Sequence, residues 1–149
     1  MARILIVSDE ARLRDEVRAV LGPDDQVVEV SEGAAVRAAA RAQPIDLVVV
    51  DLQVGNMGGM AVCLDLRLEE SGGRLPHVPL LMLLDRRADV FLARRSGAEG
   101  FVIKPLDPIR LRRAIRAVLS GEPYHDRSYE PAPVLVERES APPAASAPA

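Results

Sequence analysis

The fold is decided by residues 45–59, which read Ile45-Asp-Leu-Val-Val-Val-Asp-Leu-Gln-Val-Gly-Asn-Met-Gly-Gly59. The apolar run before Asp51 has no polar alternation, which is typical of a strand buried on both faces of a parallel sheet. Glycines and Asn56 follow within a few residues, so the strand must end near Asp51 and a loop must begin there. Ligands bind at the carboxyl ends of the strands in open α/β sheets. Asp51 is therefore the first candidate functional residue.

The rest of the chain alternates between short apolar strands and helices. Strands are predicted at Arg3–Val7, Gln26–Val30, residues 47–51, Pro79–Leu84 and Phe101–Ile103. Asp85 is predicted to cap the fourth helix, with Val90 and Phe91 facing inward. Asp107 and Pro108 are predicted to begin the fifth helix. Five strands separated by helices predict an α/β fold with a doubly wound, five-stranded parallel sheet.

Composition excludes several classes of function. A chain of 149 residues that is 48% hydrophobic can build one domain with a full core. A net charge of −3 and the absence of Trp give little attraction for nucleic acid and few rings to stack on bases, so no direct nucleic-acid binding is predicted. No apolar run approaches the ~20 residues of a membrane helix. We expect a soluble cytoplasmic protein without a membrane partner.

The composition changes after residue 120. From there the chain is rich in Pro, Ala, Ser and charged residues, a mixture that cannot bury enough apolar surface to fold alone. Residues 1–120 are therefore predicted to form the domain. Residues 121–149 are predicted to form a disordered tail.

Polar residues follow three of the predicted strands. Ser8 and Asp9 come after the first strand, Asp51 ends the third, and Lys104 follows the fifth. In a parallel sheet these strand ends share one edge. Two carboxylates there can hold Mg²⁺ through their oxygen atoms. The ammonium group can balance the negative charge of a phosphoryl group. Asp51 can then act as the nucleophile that becomes an aspartyl phosphate.

At this point the chain resembles the receiver domain of two-component response regulators, over residues 2–120. The resemblance rests on residues 4–10 (Ile-Leu-Ile-Val-Ser-Asp-Glu), 46–53 (Asp-Leu-Val-Val-Val-Asp-Leu-Gln) and 97–105 (Gly-Ala-Glu-Gly-Phe-Val-Ile-Lys-Pro), and on the order of strands and helices. It implies a flavodoxin-like sheet with strand order 2-1-3-4-5. It also implies a signalling module that catalyses at most its own phosphorylation and dephosphorylation.

The resemblance implies a role for each site residue. Asp51 would receive a phosphoryl group from a phosphohistidine on a sensor histidine kinase or a phosphotransfer protein. Mg²⁺ would be held by Asp9, Asp51 and the backbone carbonyl of Gln53. Ser8, a neutral residue where the family usually has an acid, would contribute weakly or through a water molecule. Lys104 would contact the phosphoryl oxygens.

The resemblance also implies a switch and an output surface. Phe101 matches the family's switching aromatic residue, and the bond from Lys104 to Pro105 is expected to be cis. Leu84 stands where the family has a Ser or Thr hydroxyl, so the switch lacks a charge-assisted hydrogen bond worth about 1.5–3 kcal/mol. The family's fourth and fifth helices form its output and dimerisation face. A downstream protein partner and a homodimer through these helices are therefore expected.

Alternative functions stay open beside this interpretation. Our first interpretation is a stand-alone signalling module of a phosphorelay, with Asp51 as phosphoacceptor and output by protein contact. A pseudo-receiver regulated without phosphorylation is favoured by Leu84 and Ser8. A phosphatase of the haloacid dehalogenase type is less favoured, because that family needs a second Asp two residues after the nucleophile and Gln53 stands there.

Overall fold

The chain folds into a parallel sheet with helices on both faces. The computed structural model describes residues 1–128 and 130. The strands are β1 (Arg3–Val7), β2 (Gln26–Val30), β3 (Leu47–Asp51), β4 (Leu80–Leu84), β5 (Gly100–Ile103) and β6 (Tyr124–His125). The helices are α1 (Ala11–Ala19), α2 (Val36–Ala42), α3 (Gly59–Ser71), α4 (Val90–Ser96) and α5 (Pro108–Leu119).

Strand β3 is central, as its continuous apolar run predicts. All five of its residues are buried, and it pairs in parallel with β1 on one side and β4 on the other. Val48 and Val50 face a core formed with α2, α3 and α4. Leu47 and Val49 face a second core formed with α1 and α5. The order β2-β1-β3-β4-β5 confirms the predicted doubly wound, flavodoxin-like sheet.

The sheet has a sixth strand that the sequence analysis did not predict. Tyr124 and His125 pair in parallel with Gly100 and Phe101 and extend the order to β2-β1-β3-β4-β5-β6. The predicted boundary at residue 120 assigned this segment to a disordered tail, whereas the sheet includes it. Asp126, directly after β6, is buried. Residues 129 and 131–149 of the predicted tail lie outside the described residues.

The start of the fourth helix also differs from its prediction. A 3₁₀ turn at Arg87–Asp89 precedes α4, and it is closed by Asp89, which accepts a hydrogen bond from the Arg86 backbone N–H at 3.0 Å. Asp85 was the predicted cap, but its carboxylate accepts a hydrogen bond from Lys104 instead. Val90 is buried as predicted, whereas Phe91 is 62% exposed. The short 3₁₀ turn has fewer residues per turn than an α-helix, which changes the phase of the residues that follow it.

The fifth helix begins as predicted. Asp107 is its N-cap and accepts a hydrogen bond from the Arg110 backbone N–H at 2.9 Å, and Pro108 is its first residue. No helix within the described part of the chain is both long and apolar enough to cross a membrane.

Candidate functional site

Asp51 is the centre of a buried polar cluster at the carboxyl end of β3. Its side chain is only 1% exposed. Oδ1 accepts hydrogen bonds from Lys104 Nζ at 2.9 Å and from the Gln53 backbone N–H at 3.1 Å. Oδ2 accepts a hydrogen bond from Ser8 Oγ at 3.2 Å. The strand ends therefore bring together the serine, the aspartate and the lysine that were predicted to meet.

Lys104 lies between two carboxylates. Its Nζ also donates to Asp85 Oδ1 at 3.0 Å, and its backbone N–H donates to the Leu84 carbonyl at 2.7 Å, which joins the ends of β5 and β4. Burial lowers the pKa of Lys104, but hydrogen bonds and charge attraction from Asp51 and Asp85 outweigh it and hold that pKa above its ordinary value. The ammonium group is therefore charged at neutral pH.

Ser8 and Asp9 occupy the end of β1. Ser8 is buried, and its hydroxyl oxygen also accepts a hydrogen bond from the Glu10 backbone N–H at 3.1 Å. Asp9 is exposed, and a methyl group added at Gly55 would lie 3.3 Å from its Oδ2. Asp9 therefore faces the loop that follows Asp51.

The donor set at this edge is limited for a metal ion. Within residues 1–128 and 130, no group of three or more His, Cys, Asp or Glu side chains is placed to share a metal. Mg²⁺ commonly takes one or two carboxylates and keeps several water molecules. Asp9 and Asp51, with oxygen from the Gln53 backbone, fit that requirement in kind. An all-oxygen donor set of this kind suits a hard cation better than a soft metal, because no thiolate or imidazole lies among these ligands.

The loop after Asp51 is fixed by the segment that follows β2. The backbone N–H of Gly33 donates to the Gly55 carbonyl at 3.2 Å, and the N–H of Ala34 donates to the Asn56 carbonyl at 2.9 Å. The approach is so close that a Cβ on Gly33 would lie 1.8 Å from the Met57 carbonyl oxygen. Met57 has a φ of +87°, a strained value for a residue with a side chain. Packing therefore determines the shape of this loop.

The two predicted switch residues lie on the sheet. Leu84, at the end of β4, is completely buried in the core shared with α2, α3 and α4 and offers no hydrogen-bond donor. Phe101, in β5, is 2% exposed, and its ring stacks on His125 with centroids 5.2 Å apart. The bond between Lys104 and Pro105 is cis, as expected.

Sequence reasoning missed the contact between Asp85 and Lys104. The rule that found Asp51 and Lys104 applies equally to Asp85, because it directly follows β4 at the same edge of the sheet. The residue was instead assigned to the helix cap, since an aspartate before a helix commonly has that role.

The sequence also matches the model of a known protein family. The model of the response regulator receiver domain matches residues 4–116. The chain belongs to the response regulator receiver domain family. Members of this family are signalling modules rather than enzymes in the ordinary sense, so the phosphatase alternative is not supported.

Individual relatives of this receiver domain differ in length. It is 34% identical over 120 residues to the DNA-binding response regulator MtrA of Mycobacterium tuberculosis, an alignment that covers 78% of this chain and 50% of that protein. It is 36% identical over 130 residues to an uncharacterized response regulatory protein of the same species, covering 83% of this chain and 94% of that one. The chain thus spans about half the length of MtrA.

Solved structures of other receiver domains have the same fold as this chain. The signal receiver domain of the response regulator NarL from Mycobacterium tuberculosis superposes with a TM-score of 0.71 at 26% identity, covering 81% of this chain and 98% of that one. The expectation that no nucleic acid is bound has no support from these comparisons, because MtrA is itself a DNA-binding protein.

Proposed function

We propose that this receiver domain takes part in a phosphorelay and that Asp51 is its phosphoacceptor. One observation supports this assignment above the others. A buried carboxylate at the end of β3 lies 2.9 Å from the ammonium group of Lys104, at the edge of a receiver-type sheet. A fixed cation beside a nucleophilic carboxylate stabilises the charge that develops on the phosphoryl oxygens during transfer.

The proposed reaction is a single displacement at phosphorus. An oxygen of Asp51 forms the new O–P bond while the donor's bond to phosphorus breaks. With a phosphohistidine donor the leaving group is the imidazole nitrogen, and with acetyl phosphate it is acetate. Lys104 holds the transferred group by donating to one of its oxygens.

Magnesium is part of the proposal. Receiver domains of this family generally bind Mg²⁺. In this chain Asp9, Asp51 and the Gln53 backbone carbonyl would hold the ion, with Ser8 contributing weakly or through water. When bound, Mg²⁺ supplies positive charge that neutralises the phosphoryl oxygens.

The proposed partner upstream is a sensor histidine kinase or a phosphotransfer protein. A depression beside Lys104 lies between α1 and the loop that leads to α5, and it is lined by Glu10, Leu13, Glu16, Pro105 and Leu106. The proposed docking place of the donor is this depression beside α1, next to Lys104.

The proposed output is contact with a downstream protein, or a homodimer, through α4 and α5. Phe91 on α4 is 62% exposed and Ile109 on α5 is 68% exposed, and Arg95 lies 5.3 Å from the Phe91 ring centroid. Exposed apolar side chains beside arginine are typical of protein contact surfaces. One relative is matched over 94% of its length, so a response regulatory protein of about this size has a precedent.

The phosphoacceptor proposal is tested by incubating the protein with Mg²⁺ and acetyl phosphate and measuring its intact mass. We expect one phosphoryl group on the wild-type chain and none on Asp51→Asn. Lys104→Met should slow the reaction, because the cation beside the nucleophile is lost. A wild-type protein that stays unmodified under saturating donor, while folded by circular dichroism, would refute the proposal.

A pseudo-receiver is the second candidate. Both Asp51 oxygens already accept hydrogen bonds from protein groups, and Leu84 offers no hydroxyl to a phosphoryl group. If phosphate adds without any change in the amide hydrogen exchange of α4 and α5, chemistry occurs without switching. If no phosphate adds, the pseudo-receiver is the function that remains.

A further inference from the structure

We propose that Asp85 is a positioning residue that competes with the phosphoryl group for Lys104 and so limits the phosphorylation of Asp51. This inference rests on the proposed function, because it concerns regulation of the same site. It assigns to Asp85 a role that acts through the lysine, without contact with the transferred group.

The ammonium group of Lys104 donates hydrogen bonds to two carboxylates at once. Its Nζ is 2.9 Å from Asp51 Oδ1 and 3.0 Å from Asp85 Oδ1, so two of its three N–H donors are committed. Asp51 is 1% exposed whereas Asp85 is 36% exposed, and the lysine lies between them. Any phosphoryl oxygen that binds the ammonium group must do so beside a second carboxylate.

Asp85 does not cap the turn before α4, although its position in the sequence predicts that role. The turn before α4 is closed by Arg86 and Asp89, whose side chains bond at 3.0 Å in addition to the bond from the Arg86 backbone. Within the described residues, the side chain of Asp85 bonds to Lys104. The contact therefore concerns the site, and a substitution at Asp85 leaves the helix cap intact.

Charge counting gives the direction of the effect. The cluster of Asp51, Lys104 and Asp85 has formal charges of −1, +1 and −1, so its net charge is −1 before phosphorylation. A phosphoryl group brings nearly two negative charges at neutral pH in place of the carboxylate's one. With Asp85 present, the phosphorylated cluster is close to −2, and with a neutral residue it is close to −1. Asp85 therefore disfavours the phosphorylated state.

The size of the effect follows from charge separation and exposure. A unit charge about 6 Å away at an intermediate dielectric changes an equilibrium by roughly one to two orders of magnitude. Because Asp85 is partly exposed, solvent screening reduces this to about three- to tenfold.

The test compares wild type with Asp85→Asn, which keeps the shape of the side chain and removes its charge. Beryllofluoride with Mg²⁺ serves as the phosphoryl mimic, and its dissociation constant is measured at low and high salt. We expect Asp85→Asn to bind it about three- to tenfold more tightly, and less so at high salt. Asp85→Glu should stay near wild type. Asp24→Asn, which removes the same charge from an exposed turn, is the matched control and should have no effect.

The initial rate of phosphorylation by acetyl phosphate is the second measurement, and Asp85→Asn should raise it. Unchanged or weaker beryllofluoride binding by Asp85→Asn overturns the inference. So does a longer lifetime of the aspartyl phosphate without a change in beryllofluoride binding, since Asp85 would then act on hydrolysis.

The two proposals fail in different ways. If wild type and Asp85→Asn both take up phosphate at the same rate, the role of Asp85 is refuted and the phosphoacceptor stands. If neither takes up phosphate nor binds beryllofluoride, both proposals fall. Phosphate uptake by both proteins, faster in Asp85→Asn than in wild type, supports both proposals.

Discussion

Replacing Asp126 by alanine should lower the free energy of unfolding by about 2 kcal/mol, because a buried backbone donor loses its partner. Asp126 is 1% exposed, and its Oδ2 accepts a hydrogen bond from the Ile103 backbone N–H at 2.9 Å in a buried setting. Its Oδ1 accepts from the Ser128 backbone N–H at 2.9 Å. An unpaired buried N–H costs about 1–3 kcal/mol.

Two other contributions adjust that figure. The carboxylate is desolvated, and Arg110 Nε is 3.8 Å from it, which is too far for a strong hydrogen bond. Removing this charge recovers some desolvation free energy and offsets part of the loss. The net change therefore lies near the middle of the range.

Urea unfolding followed by circular dichroism measures this change. Asp126→Asn is the matched control, because its amide oxygen can still accept from Ile103, and it should lose less stability than Asp126→Ala. Hydrogen exchange at the Ile103 amide should become faster in the alanine variant. A loss below about 0.5 kcal/mol, with unchanged protection of that amide, would refute the reasoning.

Three further outcomes are expected. Gly59→Ala should destabilise the protein by about 1–3 kcal/mol in urea, since its Cβ would meet Asp51 and Leu52 backbone atoms at 2.8 Å, whereas Gly58→Ala, with 3.5 Å of room, should be nearly neutral. Leu84→Thr should lower the free energy of unfolding by about 2–4 kcal/mol, because it puts a hydroxyl in the core. The same substitution should increase the change in α4 hydrogen exchange that beryllofluoride causes. An unchanged response would contradict the predicted switch role of residue 84. For Glu69, burial raises the pKa, but hydrogen bonds from Arg74 and Arg41 outweigh it and hold the pKa below its ordinary value. Its contribution to stability is therefore present above about pH 4–5 and is lost as the pH falls further, and urea titrations of Glu69→Gln should lack that part of the pH dependence.

The central part of the fold was predictable because local and global signals agree there. The apolar run of β3 can only be satisfied between two helical layers, and the glycines after it end the strand. Parallel strands place their carboxyl ends at one edge, so Ser8, Asp51 and Lys104 meet there whatever the loops do. The site residues named from the sequence follow from this topology.

The parts that were missed depend on contacts that no local pattern shows. Tyr124 and His125 form a strand only because β5 has a free edge, and two residues beside Pro123 give no strand pattern of their own. Asp85 has the same local pattern as a helix cap and as a strand-end carboxylate. Which role it takes is decided by Asp89, which closes the turn instead.

Strand β6 has a consequence for how molecules of this chain can meet. An uncovered edge strand is a template on which another polypeptide can pair, and proteins commonly shorten or cover such edges. Here the sheet stops after two residues of β6, and the carboxylate of Asp126 occupies the Ile103 amide that a longer neighbouring strand would use. A second molecule can therefore reach β5 only by first detaching residues 124–126. Pairing of another strand on β5 would have to begin with opening of the sheet's own edge.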